Sequence, residues 1–281
     1  MSTGLFFYYQ EGDRLRDFPQ ALGKILSKDN VFFYDAFYPS KPKSFFELEP
    51  IRTESLLKVH TPEMVKRVKT SGAFEGALYS AAGTLSAATK ICSGKLTNAF
   101  VFTGYGDHHA GSNFFGGGCY FNGAAIAVHE LQENWGLKRV SILDTDAHHG
   151  DGTWELFAER PEVLYICFCR EPSHETNGNV NVHIPMQARD EGYLHIARYV
   201  FDRWIRPFSP EIIFWNWGYD GTVEEYGDMG LSPEFHVRLC SEIKEVAEDV
   251  SKGRLVVVLC GGSRRDLARL IIPGVIEVLA G

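Results

Sequence analysis

The stretch VSILDTDAHHGDG, Val140–Gly152, ends a short apolar run in three aspartates and two histidines, a density of metal-ligating side chains that an ordinary core does not tolerate. If Val140–Leu143 is a buried strand, successive side chains point to opposite faces. Asp144, Asp146 and His148 then lean to one side as the strand ends. Two carboxylates and an imidazole converge on one point. Carboxylate oxygen and imidazole nitrogen suit zinc or another first-row divalent ion, and a catalytic site needs three protein ligands plus an open position. A further ligand has to come from elsewhere in the chain. Capping of a helix near Asp151 would account for one of these acids but not for the cluster.

Other apolar runs share this form. Residues 98–103, 139–144, 163–168, 211–215 and 255–260 are short and rich in β-branched or aromatic residues, as strands are. Amphipathic stretches over 61–70, 75–93, 123–134, 190–205 and 233–251 alternate with them and read as helices. This βαβ rhythm predicts an α/β fold, three layers in α/β/α order with a mainly parallel central sheet. In such sheets ligands bind beyond the carboxyl ends of the strands. The polar segments at 104–109, 144–151, 217–220 and 261–265 each follow one of the apolar runs, so a shared site is expected there.

With 281 residues, 44% hydrophobic and 23% charged, the chain can bury a large core and reads as one domain over 1–281. No Ser/Pro/Gly-rich linker, internal repeat or long block of like charge divides it. A formal charge of −8 argues against an extended phosphate-binding surface, so no nucleic-acid partner is expected. The one compact basic patch near the expected site is RRDLAR, 264–269. The opening MSTGLFFYY lacks a basic leader, and its apolar part is far too short for a membrane span. The expectation is a cytoplasmic protein without membrane attachment. Cysteines at 92, 119, 167, 169, 240 and 260 show no CxxC pair, which fits reduced packing thiols rather than disulfides or a structural zinc. Oligomeric state is not legible.

A second polar segment, TGYGDHHAGSNFFGGGCYFNGAA at 103–125, carries the adjacent histidines His108 and His109. Two neighbouring loop histidines cannot both be core residues. Together the two segments resemble the histone deacetylase superfamily, with its acetylpolyamine amidohydrolases and acetoin-utilisation proteins, of the arginase-deacetylase fold. That family carries, in this order, a His-His-Ala, a Cys-Tyr-Phe-Asn and an Asp-x-Asp-x-His-His-Gly-Asp-Gly motif. LLKVHTPEMV (56–65), SGKLTNAF (93–100), WGYD (217–220) and DMGLS (228–232) fall where it has counterparts, so the likeness covers roughly residues 50–270.

The resemblance implies one zinc ion per chain on Asp146, His148 and Asp220, with iron(II) the other ion an O/N site accepts. On its own, Asp220 would read as a turn residue. The resemblance makes His109 the general acid–base and His108 the group that tunes it, with Asp144 and Asp151 hydrogen-bonding the two imidazoles. The chemistry implied is amide hydrolysis on an N-acyl amine, assisted in the family by a tyrosine of a Gly-Gly-Gly-Tyr loop that donates to the oxyanion. Here that loop reads LCGGSRRDLA, 259–268, and alignment from its Asp-Leu-Ala puts Arg265 at the tyrosine position. Arginine is a permanent cation suited to holding an anion rather than replacing a phenol. Arg265 is therefore a candidate for contact with the oxyanion or a substrate anion, and Tyr219 or Tyr105 for the missing phenol.

The family's two tunnel phenylalanines are also absent. Gly118 stands at the first position, and REPSHETNG, 170–178, has no aromatic at the second. Apolar walls that would bury methylenes at about 0.8 kcal/mol each are lost, unless Phe114 or Phe115 refills the space. Arg170, His174 and Arg265 suggest a wide polar mouth for a small, anionic N-acyl substrate. The His-Pro-Glu opening of the family is replaced near residues 13–19. Potassium, often held beside the zinc motif in the family, is left open because Cys167 stands where a hydroxyl ligand is expected. Three other readings stand beside the small-molecule hydrolase. They are a metal-containing relative that only binds a ligand, a protein acyl-lysine deacetylase, and a two-metal ureohydrolase of the arginase type.

Overall fold

A computed structural model describes residues 1–7, 22–35, 45–102 and 104–281. The segment at 13–19 lies outside the described residues. Among the described residues ten strands form one sheet: β1 Thr3–Phe7, β2 Val31–Asp35, β3 Phe45–Glu47, β4 Asn98–Phe102, β5 Val140–Asp144, β6 Val163–Cys169, β7 His174–Glu175, β8 Asn179–His183, β9 Ile212–Trp217 and β10 Leu255–Leu259. Their order is β3-β2-β1-β4-β10-β9-β5-β6-β8-β7. Every pairing is parallel except β7 with β8.

Side-chain alternation divides the core between the two faces. Leu5, Phe100, Leu143, Ile166, Trp215 and Val257 point to one, where they meet the helices Arg189–Val200, Pro233–Ser251 and Arg265–Ala280. Phe6, Val101, Ile142, Tyr165, Phe214 and Val256 point to the other, under the helices Pro62–Thr70, Phe74–Cys92 and Gly123–Trp135. Burial on both faces explains why β9 and β10 read as continuous apolar runs rather than alternating ones. Each large apolar side chain so buried contributes about 1.5–3 kcal/mol. The three-layer α/β/α arrangement expected from the sequence is the one observed.

Helix ends follow local chemistry. Thr61 and Ser232 accept from the backbone of Met64 and Phe235, each ahead of a proline at the helix start, and left-handed Gly136 ends Gly123–Trp135. The stretch expected as one helix over 190–205 is α-helical only to Val200 and continues through a wide π turn, Phe201–Ile205. No helix among the described residues is long and apolar enough to cross a membrane.

Chain order positions the site. From β4 the chain crosses to β5, leaving a gap that β9 and β10 fill later. Loops leaving β4, β5, β9 and β10 therefore crowd together at the carboxyl edge.

Candidate active site

Beyond β5 and β9, ligand atoms of Asp146, His148 and Asp220 lie within 4.8 Å of one another. His148 Nδ1 is 3.1 Å from Asp146 Oδ1 and 2.9 Å from Asp220 Oδ2. The Asp220 contact is one of charge, since that buried oxygen accepts no directed hydrogen bond. Its other oxygen accepts from the Ala147 amide at 3.2 Å. The two loops are tied to neighbouring strands through Thr145 N to Asn216 O, 2.8 Å, and Cys260 N to Trp217 O, 2.7 Å. Gly218 and Gly261 border the carboxylates so closely that a Cβ on either would collide with Asp146. Only glycine leaves that space open.

The cluster is electrostatically lopsided. Burial alone would raise Asp146, but the His108 charge and hydrogen bonds from His148 hold it at about 2. Burial and the neighbouring Asp146 charge raise Asp220 to about 6. The hydrogen bond that His148 donates to Asp146, with the Asp220 carboxylate 2.9 Å away, outweighs burial and lifts His148 to about 10. A proton on His148 thus does the work of a cation between two buried carboxylates. Two carboxylate oxygens, one of them the orphaned buried Asp220 Oδ2, one imidazole and a glycine-cleared space fit a divalent ion of the zinc or iron(II) type.

Asp144 does not join this cluster, contrary to simple strand alternation. Its carboxylate accepts from Tyr165 Oη at 2.8 Å and lies 3.0 Å from His108 Nδ1. The reason is local. Asp144 is the last strand residue and keeps the orientation of Ile142, whereas Asp146 and His148 follow a turn in which the Asp146 amide donates to Asp144 Oδ1 at 3.3 Å.

The histidine pair has an asymmetric environment. His108 is buried between Asp144 and, at 3.8 Å, Asp146 Oδ1. Burial would lower it, but the Asp144 and Asp146 charges dominate and lift it to about 10. His109 is partly open, with Nδ1 2.6 Å from Asp151 Oδ1. Burial, then the adjacent His108 charge, lower it below its ordinary value. The rings sit 4.1 Å apart, and His109 is 6.3 Å from the His148 ring. Near neutrality, then, one imidazole is charged and its neighbour is a free base.

Residues of the recognised segments to which the resemblance gave no role hold this pair. Asn122 caps Gly123–Trp135 through Ala125 N, donates to Ala110 O and Thr153 Oγ1, and gives its own amide to His60 Nε2 at 3.0 Å. His60 Nδ1 meets Gly111 O at 2.8 Å, and burial lowers its basicity to about 4, so it stays neutral. Asp107 Oδ2 accepts from Ala124 N at 2.8 Å beneath the same helix start.

The opposite wall is a cavity of about 290 Å³ bordered by Gly106, Gly117, Tyr219, Tyr226, Gly262 and Ser263. Buried Glu225 clamps the 263–264 turn, accepting from Ser263 N and Oγ at 2.8 Å each and from Arg264 N at 2.6 Å. The next ring, Tyr226, stacks on His148 at 5.4 Å, and its hydroxyl accepts from Gly262 N at 2.9 Å. Burial and the Asp220 charge hold this phenol above its ordinary range. Arg264 pairs with Glu224 and Asp266. Arg265 is the exposed first residue of Arg265–Ala280, two residues beyond Ser263 of the cavity lining.

Of the tyrosines weighed from sequence, Tyr219 borders the cavity, with its ring over Gly262. Tyr105 turns away, against Gly76 and Tyr120. Phe115 packs on Tyr120 and Phe114 covers Gly111, and neither borders the cavity. Arg170 is engaged in holding Gly227 O and Asp228 O, while His174 lies against Trp154 beside a different hollow. Tyr226 and Glu225 escaped the sequence reading because no motif marks them. The nearest signal was a tyrosine six residues after Asp220.

Comparisons with known proteins agree with this fold. Residues 68–279 match the histone deacetylase domain model. The chain is 30% identical over 269 positions to a "probable deacetylase" of Archaeoglobus fulgidus, covering 83% of this chain and 74% of that one. It is 27% identical to a histone deacetylase-like amidohydrolase of Pseudomonas aeruginosa, covering 83% and 69%. The crystal structure of the HDA15 HD domain superposes with a TM-score of 0.82 at 23% identity, over 100% of this chain and 91% of that one.

Proposed function

The chain belongs to the histone deacetylase family, and on that premise we propose that it is a metal-dependent amidohydrolase acting, as one catalytic domain, on a small N-acyl amine. The observation that carries the reading is the placement of His109, held by Asp151 and 4.1 Å from the His108 ring, beside the Asp146/His148/Asp220 cluster. A zinc or iron(II) ion on those three residues would polarise the substrate carbonyl and acidify water. His109, oriented by Asp151, takes a proton from the attacking water and returns it to the leaving amine. His108, pinned by Asp144, stays protonated and keeps His109 from holding its proton too tightly.

Tyr226 supplies the oxyanion donor. Its oxygen already accepts from Gly262, so its own proton is left to donate, and its raised pKa keeps that proton in place near neutrality. The small cavity, with Gly118 on its border where the family's first tunnel phenylalanine is expected, favours a compact substrate over a long acyl-lysine arm. Arg265, exposed at the rim, would meet an anionic group on that substrate.

Acyl release from acetylated polyamines, acylated amino acids and acetyl-lysine peptides tests the reading, using metal-stripped and zinc- or iron-reconstituted protein. Turnover of a small acyl amine that vanishes on stripping and returns with metal is expected. Absence of turnover on every substrate would leave a ligand-binding relative, the reading favoured by the loss of the loop tyrosine. Preference for the peptides would move the substrate to protein lysine.

A further inference from the structure

A second group of metal-ligating atoms lies behind the site, and nothing in the proposed hydrolysis uses it. Cys167 and Cys169 are alternate residues of β6, both fully buried and on the same face of the sheet. His149 comes from the loop after β5, the neighbouring strand, paired in the register Asp144 to Cys167. Adjacent side chains on this loop diverge. His148 turns to the carboxylates, and His149 turns to the thiols, with Nδ1 3.6 Å from Cys169 Sγ. Ligand atoms of His149, Cys167 and Cys169 lie within 4.8 Å of one another. Asn181 of β8 completes the group, its Oδ1 3.1 Å from Cys169 Sγ. The Asn181 amide nitrogen donates to Glu171 O at 3.0 Å and Pro172 O at 2.9 Å, which fixes the carbonyl oxygen toward the sulfur.

We propose that His149, Cys167, Cys169 and the Asn181 carbonyl oxygen form a second metal centre, for a thiophilic divalent cation of the zinc class. Cysteines that merely fill a core need only apolar neighbours. Cys169 is met by an imidazole nitrogen and an oriented amide oxygen, and the Cys167 sulfur lies within 4.8 Å of both the Cys169 sulfur and the imidazole. One nitrogen, two sulfurs and one oxygen make a four-coordinate set suited to zinc, whereas magnesium, calcium and potassium call for oxygen donors. Cation entry is open from the side of His149, where a surface hollow is bordered by Trp154, Glu171, Pro172, Ser173 and His174. No CxxC spacing announces the centre, because strand pleating and sheet pairing assemble it from three separate segments. Its place is structural. It would tie the loop bearing His148 to β6 and β8.

Cobalt(II) separates the two centres. The Asp146/His148/Asp220 cluster has only oxygen and nitrogen donors, so thiolate-to-cobalt charge transfer in the near ultraviolet reports the second centre alone. Reduced full-length protein loaded with cobalt is expected to bind two ions and show this absorption. Asp220→Ala should keep the charge transfer while losing hydrolysis, so the two proposals fail separately. Cys167→Ala and Cys169→Ala, checked for folding by circular dichroism, should each lose it. Folded wild-type protein that binds a single cobalt without charge transfer would overturn the proposal, and so would charge transfer that survives both cysteine replacements. Because the wild-type measurement stands alone, misfolding of a variant does not rescue it.

Discussion

The loops after β4 and β5 and those after β9 and β10 border one site but are built differently. On the first side, His108, His109, Asp144, Asp146, His148 and Asp151 sit in two contiguous runs, and every catalytic candidate has its partner within these runs. On the second side, Asp220, Glu225, Tyr226 and Ser263 are spread over more than forty positions, and the Glu225 clamp and the Tyr226 hydroxyl tie their loops together. The first side keeps the His-His and Asp-x-Asp-x-His-His motifs, and the second keeps Asp220 but has Arg265 where the family's loop tyrosine is expected. Chemistry that depends on closely spaced ligands survives as a motif, whereas an oxyanion donor needs only to reach the right place and can be supplied from another loop.

The largest expected effect lies where the two sides share a metal. Asp220→Ala removes one ligand and should abolish both stoichiometric metal at the O/N cluster and turnover. Metal analysis with acyl-release assays checks this, and full metal affinity at that cluster in the folded variant would break the assignment. On the first side, His109→Ala should keep the metal and lose about 10²–10⁴-fold in turnover, the usual worth of a general acid–base.

The pH profile sharpens the asymmetry of the histidine pair. His109 must be unprotonated to act as base, so kcat/KM should fall as pH drops through its lowered pKa, below the ordinary histidine value, and hold across neutrality. His108 carries the charge that depresses His109. Removing that charge with His108→Gln should therefore move the acidic limb to higher pH, and an unmoved limb would show that the two imidazoles are not coupled. The smallest effect belongs to Arg265→Ala. It should leave neutral acyl amines nearly unchanged and raise KM for anionic ones, which initial-rate kinetics on matched substrates can measure.

What could be read in advance divides along the same line. The apolar runs of β4, β5, β6, β9 and β10 marked the sheet centre because parallel strands buried on both faces leave a strong signal. β1, β2, β3, β7 and β8 are not legible in the sequence, since short runs such as TGLFF carry no period of their own and become strands by pairing with their neighbours in the sheet. Arg265–Ala280 went unassigned as well, its start obscured by a basic patch and its middle by Pro273. In the site, alternation misplaced Asp144 because it stops applying at the turn after β5. Tyr226 and the Cys167/Cys169/His149 group were invisible for the opposite reason, since only tertiary pairing brings their partners together.

The claim that the oxyanion donor has moved to the loop after β9 is tested most directly by acyl release in single turnover, comparing Tyr226→Phe with Arg265→Ala on one neutral substrate at equal metal content. Tyr226→Phe should slow the chemical step by about 10²–10³-fold, with Arg265→Ala close to wild type. Tyr226→Phe matching wild type while Arg265→Ala loses the chemical step would contradict the account and return the donor to the loop after β10.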